Sequence, residues 1–288
     1  MKILITGSFG LLGRALSHVL ESNHEIVKTG RIIPKGVTGI KLNIQDRLNV
    51  KEVVELIKPE LIINLAALTD VDKCEHNENL AREINISGVI NLCDYFKGKI
   101  IQISTDYVFD GKDGPYSEND QVSPISIYGE TKLDAEKIIM DSSSNNLVIR
   151  TNVLYDYLEN TNASFLSWVV KSLENNRTIN VVNDQVNNPT WTFSLADVID
   201  ILITRKVSGI FHWGDADFVS RYDFAIKISE SFSLDKSLIN PITTVQLKQS
   251  AKRPLKSGLI NDKIVELLCI IPPTIEECLN SIIKKRCA

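Results

Sequence analysis

Three glycines at three-residue spacing, Gly7, Gly10 and Gly13, stand between a short apolar run at the start of the chain and a stretch of helical periodicity. Lys2–Thr6 reads as a buried strand. Beyond it Leu12, Ala15, Leu16, Val19 and Leu20 recur at i, i+3, i+4, i+7 and i+8, which lays one apolar stripe along a helix. A strand that feeds a helix through glycines can turn tightly and bring its backbone close to a ligand. The free N–H groups at the helix N-terminus then face an anion such as a pyrophosphate. The turn Gly7–Gly13, with Phe9 and Leu11 inside it, is the expected dinucleotide site.

The same alternation continues through the first half. Glu25–Thr29, Leu61–Ala66, Lys99–Ser104 and Asn146–Arg150 are apolar runs of strand length separated by helical stretches, the pattern of a parallel sheet covered on both faces. After Arg150 the alternation weakens, and loops such as Asn183–Thr192 separate shorter periodic segments. The expected fold is α/β: a Rossmann-type doubly wound parallel sheet in residues 1–150, with residues 151–288 forming mainly a smaller substrate-binding domain. Val181–Val182 and Ile210–Trp213 are expected to return to the main sheet, so returning segments fall near residues 179–213.

The end of the second strand bears on nucleotide choice, because an acid there binds a ribose 2′-hydroxyl and a base accepts a 2′-phosphate. The chain reads Lys28-Thr29-Gly30-Arg31. Arg31, with Arg14 and Lys35 in support, favours NADPH, with NADH as the alternative.

Ser104-Thr105 closes a predicted strand, and Tyr128 and Lys132 follow as Y-x-x-x-K. On a helix this spacing puts phenol and ammonium on one face, where the positive charge favours the phenolate. Ketone reduction needs a hydride on carbon and a proton on oxygen. A tyrosine donor, a lysine that tunes it and reaches the ribose, and a hydroxyl that polarises the carbonyl form a sufficient set. Tyr95 and Lys99 share the spacing, but Gly98 breaks the helix between them and Lys99 opens a strand.

Composition excludes other classes. With 43% hydrophobic and 24% charged residues and a net charge of −4, nothing suggests nucleic acid. No apolar run approaches the roughly 20 residues that span a bilayer, and the first one stops at Gly7-Ser8, too early for a signal peptide. Five scattered cysteines (Cys74, Cys93, Cys269, Cys278, Cys287) without a C-x-x-C pair argue for a reducing cytoplasm and against a zinc site. No metal site is expected: Asp72, Glu75 and Glu78 read as a cap and a solvated face. Of the tryptophans Trp168, Trp191 and Trp213, only Trp191, beside Pro189-Thr190, is carried as a substrate contact.

These motifs resemble the extended short-chain dehydrogenases/reductases, and within them the dTDP-4-dehydrorhamnose reductase family. The resemblance covers nearly the full length. It is carried by the glycine turn, Asn43-Ile44-Gln45-Asp46-Arg47, Ile63-Asn64-Leu65-Ala66-Ala67, Val71-Asp72-Lys73-Cys74-Glu75, Ser104 to Gly111 and Tyr128-x-x-x-Lys132. Asp184-Gln185 with Pro189-Thr190, and Arg253-Pro254 with Ser257, continue it. It implies Thr105, Tyr128 and Lys132 as catalytic residues, and Asn43, Ile44, Asn64, Leu65, Ala66 and Ala67 along the cofactor. It also implies Thr105, Asp106, Tyr107, Tyr128, Val153 and Arg253 at a nucleotide sugar.

Related dehydratases carry Thr-Asp-Glu, and Tyr107 in the third position cannot act as that carboxylate base. Reduction of a 4-keto-6-deoxysugar nucleotide, as in dTDP-rhamnose biosynthesis, is the implied function, with a homodimer compatible. The chain departs from the family where Val153 replaces a tryptophan and at Asn162-Ala163-Ser164-Phe165. Two alternatives follow from the same superfamily. One is an NADP-binding regulatory subunit resembling the beta subunit of methionine adenosyltransferase, whose Leu-Tyr stretch is similar to Val153-Leu154-Tyr155. The other is a sugar-nucleotide epimerase.

Overall fold

A computed structural model describes residues 1–158 and 164–287. Asn162 and Ala163 lie outside the described residues. Seven strands form one sheet in the spatial order Ile40–Lys41, Glu25–Gly30, Lys2–Thr6, Leu61–Asn64, Lys99–Thr105, Leu147–Thr151, Gly209–Trp213, and every pairing in it is parallel. The strand order reverses beside Lys2–Thr6. A crevice opens there at the C-terminal ends of the strands, the place where such sheets bind ligands.

Residues alternate between the faces of each strand, and each face carries its own core. Ile3, Ile5, Ile63, Ile101 and Ile149 pack under the helices Leu11–Leu20, Thr192–Thr204 and Asp262–Leu268. Leu4, Ile62, Ile100 and Val148 pack under Arg47–Ile57, Gly88–Tyr95 and Ile127–Ser142. The second half of the chain therefore supplies one sheet strand and two of the helices that cover it. A separate apolar cluster joins the helices Phe165–Glu174, Arg221–Ser231 and Ile275–Cys287 with Ile179, Val181 and Ile239.

Gly209–Trp213 pairs with Leu147–Thr151 at the sheet edge. Val181–Val182 differs from the expectation. Ile179–Val182 pairs with Ile239–Ile242 in a two-stranded sheet of its own, because Ile179 and Val181 face the helix cluster of the second half and would lose that burial in the main sheet. No helix among the described residues is long and apolar enough to cross a membrane.

The helix Ile127–Ser142 is held to the sheet by a buried ion pair. Arg150, on Leu147–Thr151, donates from Nε and Nη2 to Glu136 at 3.0 and 2.8 Å, and Ser104 donates to the same carboxylate at 2.5 Å. The two charged side chains are 4% and 2% exposed, so neither has water as a substitute partner. His212 completes the chain. Its Nδ1 lies 3.1 Å from the Tyr116 carbonyl, which makes Nδ1 the donor and leaves Nε2 to accept from Arg150 Nη1 at 3.4 Å. Burial, and then the neighbouring Arg150, push His212 down to about 3, so the ring stays neutral.

Removing one partner of such a pair leaves an uncompensated buried charge. Arg150→Met alone is expected to cost about 3–5 kcal/mol of unfolding free energy in urea denaturation. Arg150→Met with Glu136→Leu should recover most of it. A single variant as stable as the parent chain would show that the pair does not hold the helix.

Candidate active site

The glycine turn is built as its spacing requires. Gly7 has φ +64°, the left-handed region, and a Cβ there would lie 3.2 Å from the Leu65 and Ala66 backbone. A Cβ on Gly13 would sit 2.5 Å from the Ser8 carbonyl oxygen, so the helix Leu11–Leu20 packs against the turn only with glycine at that point. Gly10 caps this helix with extended backbone and no side-chain hydrogen bond, and the first turn carries no acidic residue. The N-terminal N–H groups from Leu11 onward are thus open to an anion. The Phe9 ring lies against Gly30 and Gly39 at the end of the second strand. Arg31 follows, exposed and without an ion-pair partner among the described residues. The cradle and the basic residue fit a dinucleotide with a 2′-phosphate.

The opposite wall is set by a buried polar relay. Thr6 donates to Asn64 Oδ1 at 2.6 Å and accepts from the N–H groups of Leu65 and Ala66. Asn64 in turn donates to Gln102 at 2.7 Å. Asn64 is fully buried and locks three strand ends together, while Leu65, Ala66 and Ala67 are partly exposed at the crevice. Asn43 is partly buried, its N–H taken by Asn49. The Ile44 side chain is 4% exposed and packs in the core against Gly88; its carbonyl is taken by Asn91.

Thr105 ends its strand, and Ser126 caps the helix that carries Tyr128, Lys132 and Glu136 at i, i+4 and i+8 on its buried face. Gly129 is the reason this helix comes close enough. A Cβ at that position would fall 2.2 Å from the Tyr107 carbonyl oxygen. With the helix seated, Tyr128 comes beside the strand end at Thr105, whose hydroxyl favours the phenolate, and the Tyr107 and Tyr128 rings meet edge to face at 5.5 Å. Asn85 accepts from the Leu68 N–H at 2.7 Å and donates to Thr131 at 3.0 Å, joining the crevice loop to the same helix. Asn85 carries no motif that sequence reading could use.

Lys132 Nζ donates to the Ile103 carbonyl at 2.5 Å. Burial lowers it to about 8, with the Glu136 carboxylate acting in the opposite sense. Tyr128 departs from the expectation set by its spacing from Lys132. Burial raises the phenol well above its ordinary value, Asp106 and Tyr107 add to this, and only the Thr105 hydrogen bond is a countering influence of note. Desolvation of the phenolate outweighs the attraction that i, i+4 spacing suggested. The phenol is a firmly held proton. Tyr107 is raised by burial as well, so it too stays protonated.

Asp106 accepts from Thr105 on one oxygen and from Ser257 on the other, at 3.0 and 2.5 Å, and burial raises it to about 6. Arg253 grips both oxygens of Asp72 at 2.7 Å, clamping the segment after Leu61–Asn64 to the residues around Ala251. Glu75 accepts from the Ile127 N–H, and Glu78 pairs with Arg82. Among the described residues no cluster of histidine, cysteine, aspartate and glutamate could hold a metal ion. Val153 lies two residues beyond Thr151, the register partner of Thr105, and its carbonyl accepts from Thr190. Trp191 is placed elsewhere. Its ring packs against Phe193 with Lys285 at 5.2 Å, in the apolar cluster of the second half rather than around Tyr128.

The family model described as the RmlD substrate binding domain matches residues 1–287. The chain belongs to this family. It is 33% identical to a dTDP-4-dehydrorhamnose reductase of Aggregatibacter actinomycetemcomitans, over 98% of each chain. It is 31% identical to methionine adenosyltransferase 2 subunit beta of Rattus norvegicus, over 92% of this chain and 82% of that one. A solved dTDP-4-dehydrorhamnose reductase of Bacillus anthracis, in complex with NADP, superposes with TM-score 0.90 at 28% identity over 99% of each chain.

Proposed function

We propose that this chain reduces the 4-keto group of a nucleotide-activated 6-deoxysugar with NADPH, as a dTDP-4-dehydrorhamnose reductase does. The observation that carries the reading is the convergence of Thr105, Tyr128 and Lys132 at the sheet edge that also carries the glycine turn. Kinship with two reductases of that name, one of them solved with NADP, supports the substrate class and the cofactor.

Gly7, Gly10, Gly13 and the helix N-terminus hold the pyrophosphate, Arg31 takes the 2′-phosphate, and Lys132 reaches the nicotinamide ribose. NADPH, when bound, supplies the hydride. The rest is work for the protein. When substrate binds, Thr105 turns its hydroxyl proton from Asp106 to the carbonyl oxygen and polarises it, and Tyr128 passes its proton to that oxygen as negative charge develops. A phenol raised by burial keeps its proton until an alkoxide, a far stronger base, forms beside it. The Lys132 ammonium then offsets the charge left on the phenolate. Tyr107, protonated and facing Tyr128, puts a phenol at the position where the related dehydratases carry a glutamate. The scattered cysteines support a cytoplasmic setting.

Kinship with a methionine adenosyltransferase beta subunit favours a second reading, an NADP-binding partner of another enzyme. The discriminating assay incubates the protein with NADPH and a panel of 4-keto-6-deoxyhexose nucleotides and follows loss of NADPH absorbance. Turnover is expected, and Tyr128→Phe should lose it by orders of magnitude while keeping NADPH affinity. Absence of turnover on the whole panel, with stable co-purification of a synthetase, would support the second reading.

Arg31→Ala should weaken NADPH more than NADH in direct binding. Equal weakening of both would remove the 2′-phosphate assignment. The profile of kcat/KM reports groups of the free enzyme. Below about 8 Lys132 is charged, and above it the charge is lost. Reduction should therefore fall as pH rises through that value, and a level profile would show that the lysine charge is not used.

A further inference from the structure

Three arginines are wholly or partly buried near the crevice, and two of them are satisfied within the chain. Arg150 is matched by Glu136, and Arg253 by Asp72. The third, Arg221, is not. Among the described residues its guanidinium makes no ion pair and no hydrogen bond, and it lies over the face of Phe165, 5.3 Å from the ring centre. A guanidinium carries five N–H donors in a rigid fork, and withdrawing them from water without acceptors is unfavourable.

Local structure directs this side chain. Arg221 opens the helix Arg221–Ser231, and Ser220 caps the helix by accepting from the Asp223 N–H at 3.0 Å. The Arg221 N–H donates to the Gln185 carbonyl at 3.1 Å, and Val219–Ser220 pairs with Val186–Asn187. The backbone at the head of the helix is thereby fixed. Val186, paired with Ser220, donates its N–H to the Leu255 carbonyl and accepts from the Ser257 N–H, and Ser257 donates to Asp106, so the head of this helix is joined through one backbone layer to the Asp106 wall of the crevice. Tyr107 and Asp106 favour the charged form of Arg221, in keeping with that placement, while burial and Arg253 oppose it. Asp106 forms no ion pair with Arg221 and accepts instead from Ser257 and Thr105. Tyr107 touches Tyr128 on one side and senses Arg221 on the other. The unsatisfied cation therefore adjoins the catalytic pair, in the same crevice.

We propose that Arg221 binds the diphosphate of the nucleotide-sugar substrate, supplying the anion subsite that holds the sugar against Thr105 and Tyr128. The inference rests on the substrate class proposed above. Diphosphate oxygens offer a planar fork the acceptors that the chain withholds, and a bidentate contact fixes orientation as well as adding affinity.

The test measures calorimetric binding of deoxythymidine diphosphate and of thymidine to the NADPH-loaded protein, for the parent chain, Arg221→Met and Arg221→Gln. NADPH affinity in the same samples reports whether each variant is folded. Loss of charge-assisted hydrogen bonds should weaken the diphosphate by about 10- to 100-fold in both variants and leave thymidine and NADPH unchanged. In turnover, KM should rise with kcat largely kept. A folded variant that binds the diphosphate like the parent overturns the role of Arg221 and leaves the substrate class standing. Equal weakening of thymidine and diphosphate marks Arg221 as structural and overturns the subsite. A parent chain with no affinity for the diphosphate overturns the inference together with the substrate class.

Discussion

The bidentate pair between Glu136 and Arg150 joins the two halves of the candidate chemistry. Glu136 lies on the helix that carries Tyr128 and Lys132, and Arg150 lies on the strand paired with the one ending in Thr105. Ser104 donates to the same carboxylate, so the residue before Thr105 is tied to the helix directly. A core of apolar residues would bury this helix as well, but it would not set its rotation or its height along the strand. A charge pair with two hydrogen-bonding neighbours, Ser104 and His212, does.

A second constraint operates where side chains are missing. Gly129 lets the helix approach the Tyr107 carbonyl, and Gly13 lets another helix approach Ser8. Close backbone approach at one point brings Tyr128 to Thr105; at the other it leaves a helix N-terminus open at the crevice. Both devices sit at the C-terminal edge of a sheet whose strand order reverses beside Lys2–Thr6. The polar relay Thr6–Asn64–Gln102 keeps that edge in register without an exposed polar group being lost to the core.

Burial has opposite effects on the two ends of the Y-x-x-x-K pair. It raises the phenol and lowers the ammonium, because in each case the charged form is the one that loses water. The site as folded holds a proton on Tyr128, which suits a donor in reduction. The same desolvation keeps Tyr107 neutral, so the pair of tyrosines presents hydroxyls where a dehydratase would present a carboxylate.

What could be read from the chain itself was local. The glycine turn, five of the sheet strands to within a residue or two though not the short Ile40–Lys41, and the helical face shared by Tyr128 and Lys132 each depend on neighbours a few positions away, and periodicity or spacing records such neighbours. Other features arise from pairs far apart in sequence, where no pattern exists to be read. Asp72 meets Arg253 across 181 positions, Asp106 meets Ser257 across 151, and Asn85 meets Thr131 across 46. Ile179–Val182 has the composition of a sheet strand, and only the packing of the second half decided which sheet it joins. The sequence names Arg221 as a cation like any other; the tertiary structure alone leaves it partly buried and, among the described residues, without an ion pair or a side-chain hydrogen bond.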